Sequence, residues 1–383
     1  MENYCPKPFS FYKVSLGVLL IILLILVYPQ TAIARPARIT AITGRVKIKR
    51  LGWAEYKPVT LGTELNNGDQ IFPDTEARVR VLCPDLQERL VNAGVPSGLK
   101  SICPIWQAVK AKNPPPLGTL EGINSRLPYL ITPRHSLILT TNPLLGWNRV
   151  IGVEKYTVKI SNAQGIIWQT STSDNQIIYS GSPPLSPGIS YSVVVETDKD
   201  QFSSLDPSSP LQFILLHPED IKAIEMEVEK IKSLGLPLEV EALTLAEFYA
   251  AYSLPLPRLK NYALSPQVAS TYHLSTTAIA LLETAISRES SSPILERTLG
   301  DIYWQIGLAE LALKHYQQAI ALATSPETLE EKTLAQFTLG EVYAALGDKT
   351  QAQNWYAQAR AGYLSLGHQE RADFIGELIK TLQ

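Results

Sequence analysis

Residues 299–323 read LGDIYWQIGLAELALKHYQQAIALA, and residues 339–363 read LGEVYAALGDKTQAQNWYAQARAGY. Leu299, Gly300, Tyr303, Gly307, Ala312, Tyr316 and Ala319 return as Leu339, Gly340, Tyr343, Gly347, Ala352, Tyr356 and Ala359, each displaced by 40 positions. In each copy the leucine, glycine and tyrosine share one helix face, and the alanine, tyrosine and alanine share a face of the next helix. Small residues let two helix backbones approach, and the aromatic rings fill the space beside them. One such pair cannot hide its own apolar face, so neighbouring pairs must stack. These positions are therefore core rather than site.

The helical period extends back to Pro218. Ile221, Ile224, Val228, Ile231 and Leu234 fall on one face, with Pro218 suited to the first turn and Gly235 to the stop. A second helix is expected near 238–253. Residues 254–272, with Pro255, Pro257 and Pro266, read as irregular. Helices then run to the end, so 218–383 is an all-α hairpin repeat.

The spacing resembles the tetratricopeptide repeat. Leu299, Gly300 and Tyr303 match that family's first helix, and Ala312, Tyr316 and Ala319 its second. Its opening tryptophan is replaced by Glu296 and Gln336; its closing proline is displaced to Pro326 in one copy and missing in the other. The usual period is about 34 residues. The extra residues are expected around SPETLE and the start of the next helix. A third, degenerate copy would use Leu245, Ala246 and Tyr249, then Ala278, Leu282 and Ala285, and a helix near 369–382 would cap the stack. The resemblance implies a concave partner-binding face carrying Ile294, Arg297, Asp301, Trp304, Leu334, Phe337, Glu341 and Ala344. Of these, Arg297, Asp301, Trp304, Phe337 and Glu341 are the candidate contacts. Arg297 and Asp301 are four apart and could pair with each other. Trp304 is either an anchor for a partner or a packing residue.

The first half of the chain changes period. In residues 36–104, Ile39, Ile42, Val46 and Ile48 alternate, a turn falls at Asn67-Gly68, and Val79, Val81 and Cys83 alternate again. This all-β unit resembles the FecR-like domain of bacterial envelope proteins, through Gly44-x-Val46, Gly52-Trp53, Leu61-Gly62, Leu65, Gly68-Asp69-x-Ile71 and Ala77-x-Val79-x-Val81. The extension holding Cys83 and Cys103 looks like a variant of cyanobacterial members. The resemblance implies an extracytoplasmic domain tied to signalling or sensing, without catalytic residues. Residues 105–134, with NPPPLG, read as a proline-rich linker.

Residues 135–217 read as a β-sandwich of short strands, YTVKI, IIWQT and YSVVVET, with Leu139, Trp147, Tyr156, Val158, Ile160, Ile166, Trp168, Tyr191, Val193 and Phe213 among the core candidates. The order resembles a fibronectin type III or similar immunoglobulin-like module, with Trp147 as the early core tryptophan and Leu185–Tyr191, LSPGISY, as the tyrosine corner.

At the N-terminus, Lys7 and Lys13 precede an apolar run from Val14 to Val27, and Ala32-Ile33-Ala34 follows. This is the pattern of a secretory signal peptide over residues 1–34. An uncleaved membrane anchor through 14–27 is the alternative. Export makes Cys83 and Cys103 a candidate disulfide, with two free buried thiols the other reading.

The 383 residues carry a net charge of −2 and no basic block, which argues against nucleic acid. No metalloprotease, hydrolase, Walker or dinucleotide motif is present, and His135, His217, His273, His315 and His368 are scattered. No cofactor or metal is expected. The expectation is an exported, non-enzymatic, cyanobacterial-type envelope protein in the periplasm or on the periplasmic side of the cytoplasmic membrane, scaffolding an envelope protein or peptide through its repeats. A peptidoglycan- or glycan-binding role of the β-domains, or a hydrolase with a site assembled from distant residues, are the alternatives.

Overall fold

The computed structural model describes residues 35–104, 126–203, 211–262, 264, 269–288 and 292–383. Residues 1–34, read above as a signal peptide or anchor, lie outside the described residues, as does most of the stretch read as linker.

Residues 37–102 form two four-stranded antiparallel sheets, ordered β4-β1-β6-β7 and β3-β2-β5-β8. The first holds β1 (Ala37–Thr43), β4 (Glu64–Leu65), β6 (Arg78–Leu82) and β7 (Glu88–Val91); the second holds β2 (Val46–Lys49), β3 (Lys57–Pro58), β5 (Gln70–Pro73) and β8 (Ser97–Gly98). The alternation read in the sequence is the inward face: Ile39, Ile48, Ile71, Val79 and Val81 are completely buried. Gly44 turns the chain at φ +78°, where a Cβ would also come within 3.1 Å of Ala77. A short helix α1 (Leu99–Ile102) follows, and Cys83 is joined to Cys103, with Cα atoms 5.5 Å apart.

The second β-domain packs a three-stranded sheet, β14-β11-β9, against a five-stranded one, β10-β16-β15-β12-β13. The strands are β9 (Leu130–Thr132), β10 (Ser136–Ile138), β11 (Leu144–Trp147), β12 (Tyr156–Asn162), β13 (Gly165–Thr172), β14 (Gln176–Ile178), β15 (Ser190–Thr197) and β16 (Gln212–Leu215). Trp147 is fully buried, edge-on to Tyr156 at 5.4 Å. The Ser186 amide donates to the Tyr191 hydroxyl at 2.8 Å, which pins the loop before β15. Two expectations shift. Strand β9 lies inside the stretch read as linker, where Pro128 and Pro133 flank it; a proline at the end of an edge strand costs no ladder bond. Ile166, read as core, is 60% exposed, because a register shift at Ile160/Ser161 pairs it with Ser161 on the outer face.

The rest is helical: α2 (Pro218–Lys232), α3 (Leu238–Ala251), α4 (Ser275–Arg288), α5 (Pro293–Gln305), α6 (Ala309–Leu322), α7 (Leu329–Ala345), α8 (Lys349–Leu366) and α9 (Gln369–Thr381). The stretch read as irregular includes a 3-10 segment, Leu256–Tyr262. Helices α5/α6 and α7/α8 are the two copies, α3/α4 the degenerate one, and α9 the cap. The extra residues of the 40-residue period go into a 3-10 turn, Pro326–Thr328, and a first helix of 17 residues against 13 in the earlier copy.

The duplicated glycines have a specific reason. A Cβ on Gly300 would sit 2.9 Å from the Tyr316 ring, and one on Gly340 2.4 Å from the Tyr356 ring. Each tyrosine ring packs directly against the glycine of the preceding helix. Leu299, Ala312, Ala319, Leu339, Ala352 and Ala359 are fully buried around them, Tyr303 is buried, and Tyr343 is half-buried.

Candidate functional site

Helix α5 starts at Ser292, whose hydroxyl accepts from the Leu295 amide, with Pro293 in the first turn. This fixes which side chains α5 turns inward. Arg297 donates to Asp301 at 2.8 Å and, across the helix pair, to Glu331 of α7. Tyr316 of α6 donates to the other Asp301 oxygen at 2.9 Å. Burial opposes the charge of Arg297, but Glu331 and Asp301 outweigh it and raise its pKa. Burial, then the charge of Asp301, raises the Tyr316 pKa well above its usual value.

On α7, Phe337 is buried beneath the Arg371 guanidinium of α9, 4.6 Å from the ring centroid. Glu341, one turn on, is exposed on the helix yet its carboxyl titrates at about 7. Local desolvation drives that rise, Arg371 opposes it, and the like charge of Asp301 adds to it. Trp304 is buried, at the end of α5 where Arg134 of the second β-domain donates to the Ile306 carbonyl at 2.8 Å. The inward residues of α5 and α7 therefore form one linked surface, Arg297–Asp301–Glu331 together with Phe337 and Glu341. Of the candidates, Trp304 is packed, Arg297, Asp301 and Phe337 are bonded or covered, and Glu341 is open.

What covers this face is the chain's own first β-domain. Its residues share a single apolar cluster with Phe337, Tyr363, Leu366 and Ile375. The place of a Gly62 Cβ lies 3.1 Å from Leu243 and 3.7 Å from Ile294. The Ala54 amide donates to the Gly367 carbonyl at 3.1 Å. Arg38, 3% exposed, pairs with Glu247 of α3, and Arg50 binds Glu330 of α7 through two nitrogens, one at 2.9 Å. Arg50 also holds Asp69 at 2.5 Å. Reading the sequence for motifs missed Arg38, Arg50, Glu247 and Glu330. The signal was the distribution of charge: residues 35–104 hold 11 Lys and Arg against 7 Asp and Glu, whereas 218–383 hold 13 against 21.

Open grooves elsewhere are modest. One of about 440 Å³ is lined by Arg360, Asp373, Glu377 and Lys380, and one of about 400 Å³ by Leu144, Asp174, Ile177 and Ile178. Among the described residues, no three His, Cys, Asp or Glu side chains gather as a metal site, and no helix is long and apolar enough to cross a membrane.

Residues 291–365 match the tetratricopeptide repeat family. Repeats of this kind stack into extended surfaces used for protein partners. No curated protein matches the chain. Among solved structures, a crystal structure of MamA is 18% identical, covering 43% of this chain and 89% of that one, with a TM-score of 0.25. The FN1–FN3 domains of chicken CNTN1 are 14% identical, over 48% of this chain and 55% of that one, at a TM-score of 0.18. At such scores neither likeness carries an argument about this chain.

Proposed function

We propose that this is an exported, non-enzymatic scaffold of the bacterial envelope, whose helical repeats hold an envelope protein and whose first β-domain links it to signalling. The observation that carries the reading is the matched repeat over residues 291–365, with Glu341 of α7 left exposed on a face that the first β-domain otherwise covers. The Cys83–Cys103 bond supports an oxidising compartment, and the basic-apolar-small order of residues 1–34 supports export.

Glu341 is the inner-face position open to a partner. A photo-crosslinking residue at position 341 of the full chain should trap one discrete envelope protein in intact cells. The same residue at Met226, which is 56% exposed on α2, should not. Equal labelling from both positions, or no adduct from 341, would sink the scaffold reading.

A further inference from the structure

Helix α9 carries the repeat's first-helix signature a third time. Ile375, Gly376, Glu377, Leu378 and Ile379 stand 36 positions after Leu339, Gly340, Glu341, Val342 and Tyr343. Ile375 is fully buried, as Leu299 and Leu339 are, so the helix that caps the stack is built as a first helix. In the two earlier copies the glycine is a seat. The Tyr316 ring packs on Gly300 and the Tyr356 ring on Gly340. Each ring comes from a second helix with an alanine four residues before the tyrosine and another three after it. The acidic residue after the glycine meets the hydroxyl end of the ring. Asp301 accepts from Tyr316 at 2.9 Å, and burial, then the charge of Glu341, pushes Tyr356 up to about 12.

In the third copy no ring of the described residues lies on the glycine. The atom nearest to the place of a Gly376 Cβ is Arg360 Nε of α8, at 3.4 Å. An open groove of about 440 Å³ runs along it, with Ile379, Glu377 and Arg360 in its walls. Glu377 is 70% exposed and paired with Lys380 at 2.7 Å. A glycine inside a helix makes it less stable than an alanine would, and no described contact requires one at position 376.

We propose that this groove binds an amphipathic helix of another protein, one carrying Ala-x-x-x-Tyr-x-x-Ala, which completes the third hairpin. Its tyrosine ring rests on Gly376 and its hydroxyl donates to Glu377. The two filled copies define that occupant position by position, and the mode is a helix laid into a groove. A second copy of this chain has no such helix to spare among the described residues, because Tyr316 and Tyr356 are buried in their own hairpins. The site lies past α5 and α7 and does not depend on Glu341.

The test uses the full chain and a labelled peptide with the sequence of α8, Lys349–Leu366, the chain's own example of such a helix. Fluorescence anisotropy should show saturable binding of one peptide per chain. Circular dichroism should show a gain of helix, since so short a segment is marginal alone. Tyr356→Ala in the peptide, and separately Gly376→Leu in the chain, should each weaken binding at least tenfold. Absence of saturable binding overturns the proposal, and so does equal binding to the Gly376→Leu chain. Should that chain not fold, Glu377→Lys, a change at an exposed side chain, takes its place. It should weaken the tyrosine peptide at least threefold and leave a Tyr356→Phe peptide unchanged; equal losses for the two overturn the seating. Without peptide, Gly376→Ala should melt above wild type, the opposite of Gly300→Ala. A lower melting temperature would mean that the seat is already filled, and would overturn the proposal.

Discussion

Residues 35–104 reach the helices through ion pairs between guanidinium and carboxylate groups, whereas the second β-domain reaches them through hydrogen bonds to uncharged groups, that of Arg134 to the Ile306 carbonyl included. At the second seam the Leu137 amide and the Ser136 hydroxyl both donate to the His273 carbonyl, at 2.8 and 3.1 Å. The His217 amide donates to the Tyr262 hydroxyl at 3.0 Å, and the Tyr272 hydroxyl to Gln212 at 2.9 Å. Such bonds depend on register and carry no net charge. They join strand β10 to the segment before α4 as one more rung of structure. The first seam rests on long side chains whose charges are costly to bury unless paired. One array of helices thus holds one neighbour by hydrogen bonds to uncharged groups and the other by complementary charge, and the second kind of hold is open to competition and to salt.

The largest break in that contrast should come from Glu247→Ala. It leaves the buried Arg38, which also donates to the Gly62 carbonyl, without its hydrogen-bonded carboxylate, and with the charge of Glu64 as partial compensation. Removing one member of a buried pair costs about 3–5 kcal/mol. Urea unfolding should show the loss, and hydrogen exchange should show faster exchange in α3 and β1 while β10 stays protected. Replacing both Arg38 and Glu247 by apolar residues should recover much of the loss. If Glu247→Ala proved silent, the charged seam would not be a true contact.

The array itself supplies the next effect. Gly340→Ala and Gly300→Ala each push a methyl against a tyrosine ring, and overpacking costs about 1–3 kcal/mol. The approach is closer at Gly340, 2.4 Å against 2.9 Å, so that variant should be the less stable in thermal melts. The reverse order would mean that Tyr356 shifts aside more easily than Tyr316, whose hydroxyl is held by Asp301. Smaller still is Tyr272→Phe at the second seam. It removes one neutral hydrogen bond, worth about 1 kcal/mol. Its cost should be the same at low and high salt, whereas the cost of Arg50→Met should shrink as salt rises.

The repeats were readable because duplication exposes their packing rule directly. A glycine beneath a tyrosine cannot drift without a clash, so both recur at the same interval. The strands were readable from alternation until a bulge intervened; after Ile160 the extra residue sends Ile166 outward. Strand β9 was hidden by its flanking prolines. The seam between β-domain and repeats was not readable as pairs, since Arg38 and Glu247 lie 209 residues apart. Only the segregation of charge announced it. The family resemblance placed Arg297, Phe337 and Glu341 on an inner face. It carried no information that another part of the same chain would lie against that face, because a repeat's own pattern records its stacking and not its neighbours.

Glu341 offers the finest test, because it stays exposed where its neighbours are bonded or covered. Its carboxyl is raised to about 7 from the usual 4.5. Between those values the native protein holds a proton that the unfolded chain has released. Stability from this group is complete below about pH 4.5 and is lost as pH rises through about 7. Burial shifts Asp69 and Glu330 in the same direction at the charged seam, so they add to the same slope. Glu341→Gln should remove only its own share. Melting temperatures from pH 4.5 to 8 should fall less steeply in the variant, by a small margin given how exposed the side chain is. Arg50→Met, which removes the cation facing both Asp69 and Glu330, should steepen the fall, and Tyr272→Phe should leave it unchanged. An identical profile for wild type and Glu341→Gln would place that carboxylate in free solvent, and would separate it from the Asp301–Arg371 surroundings that make the inner face distinct from either seam.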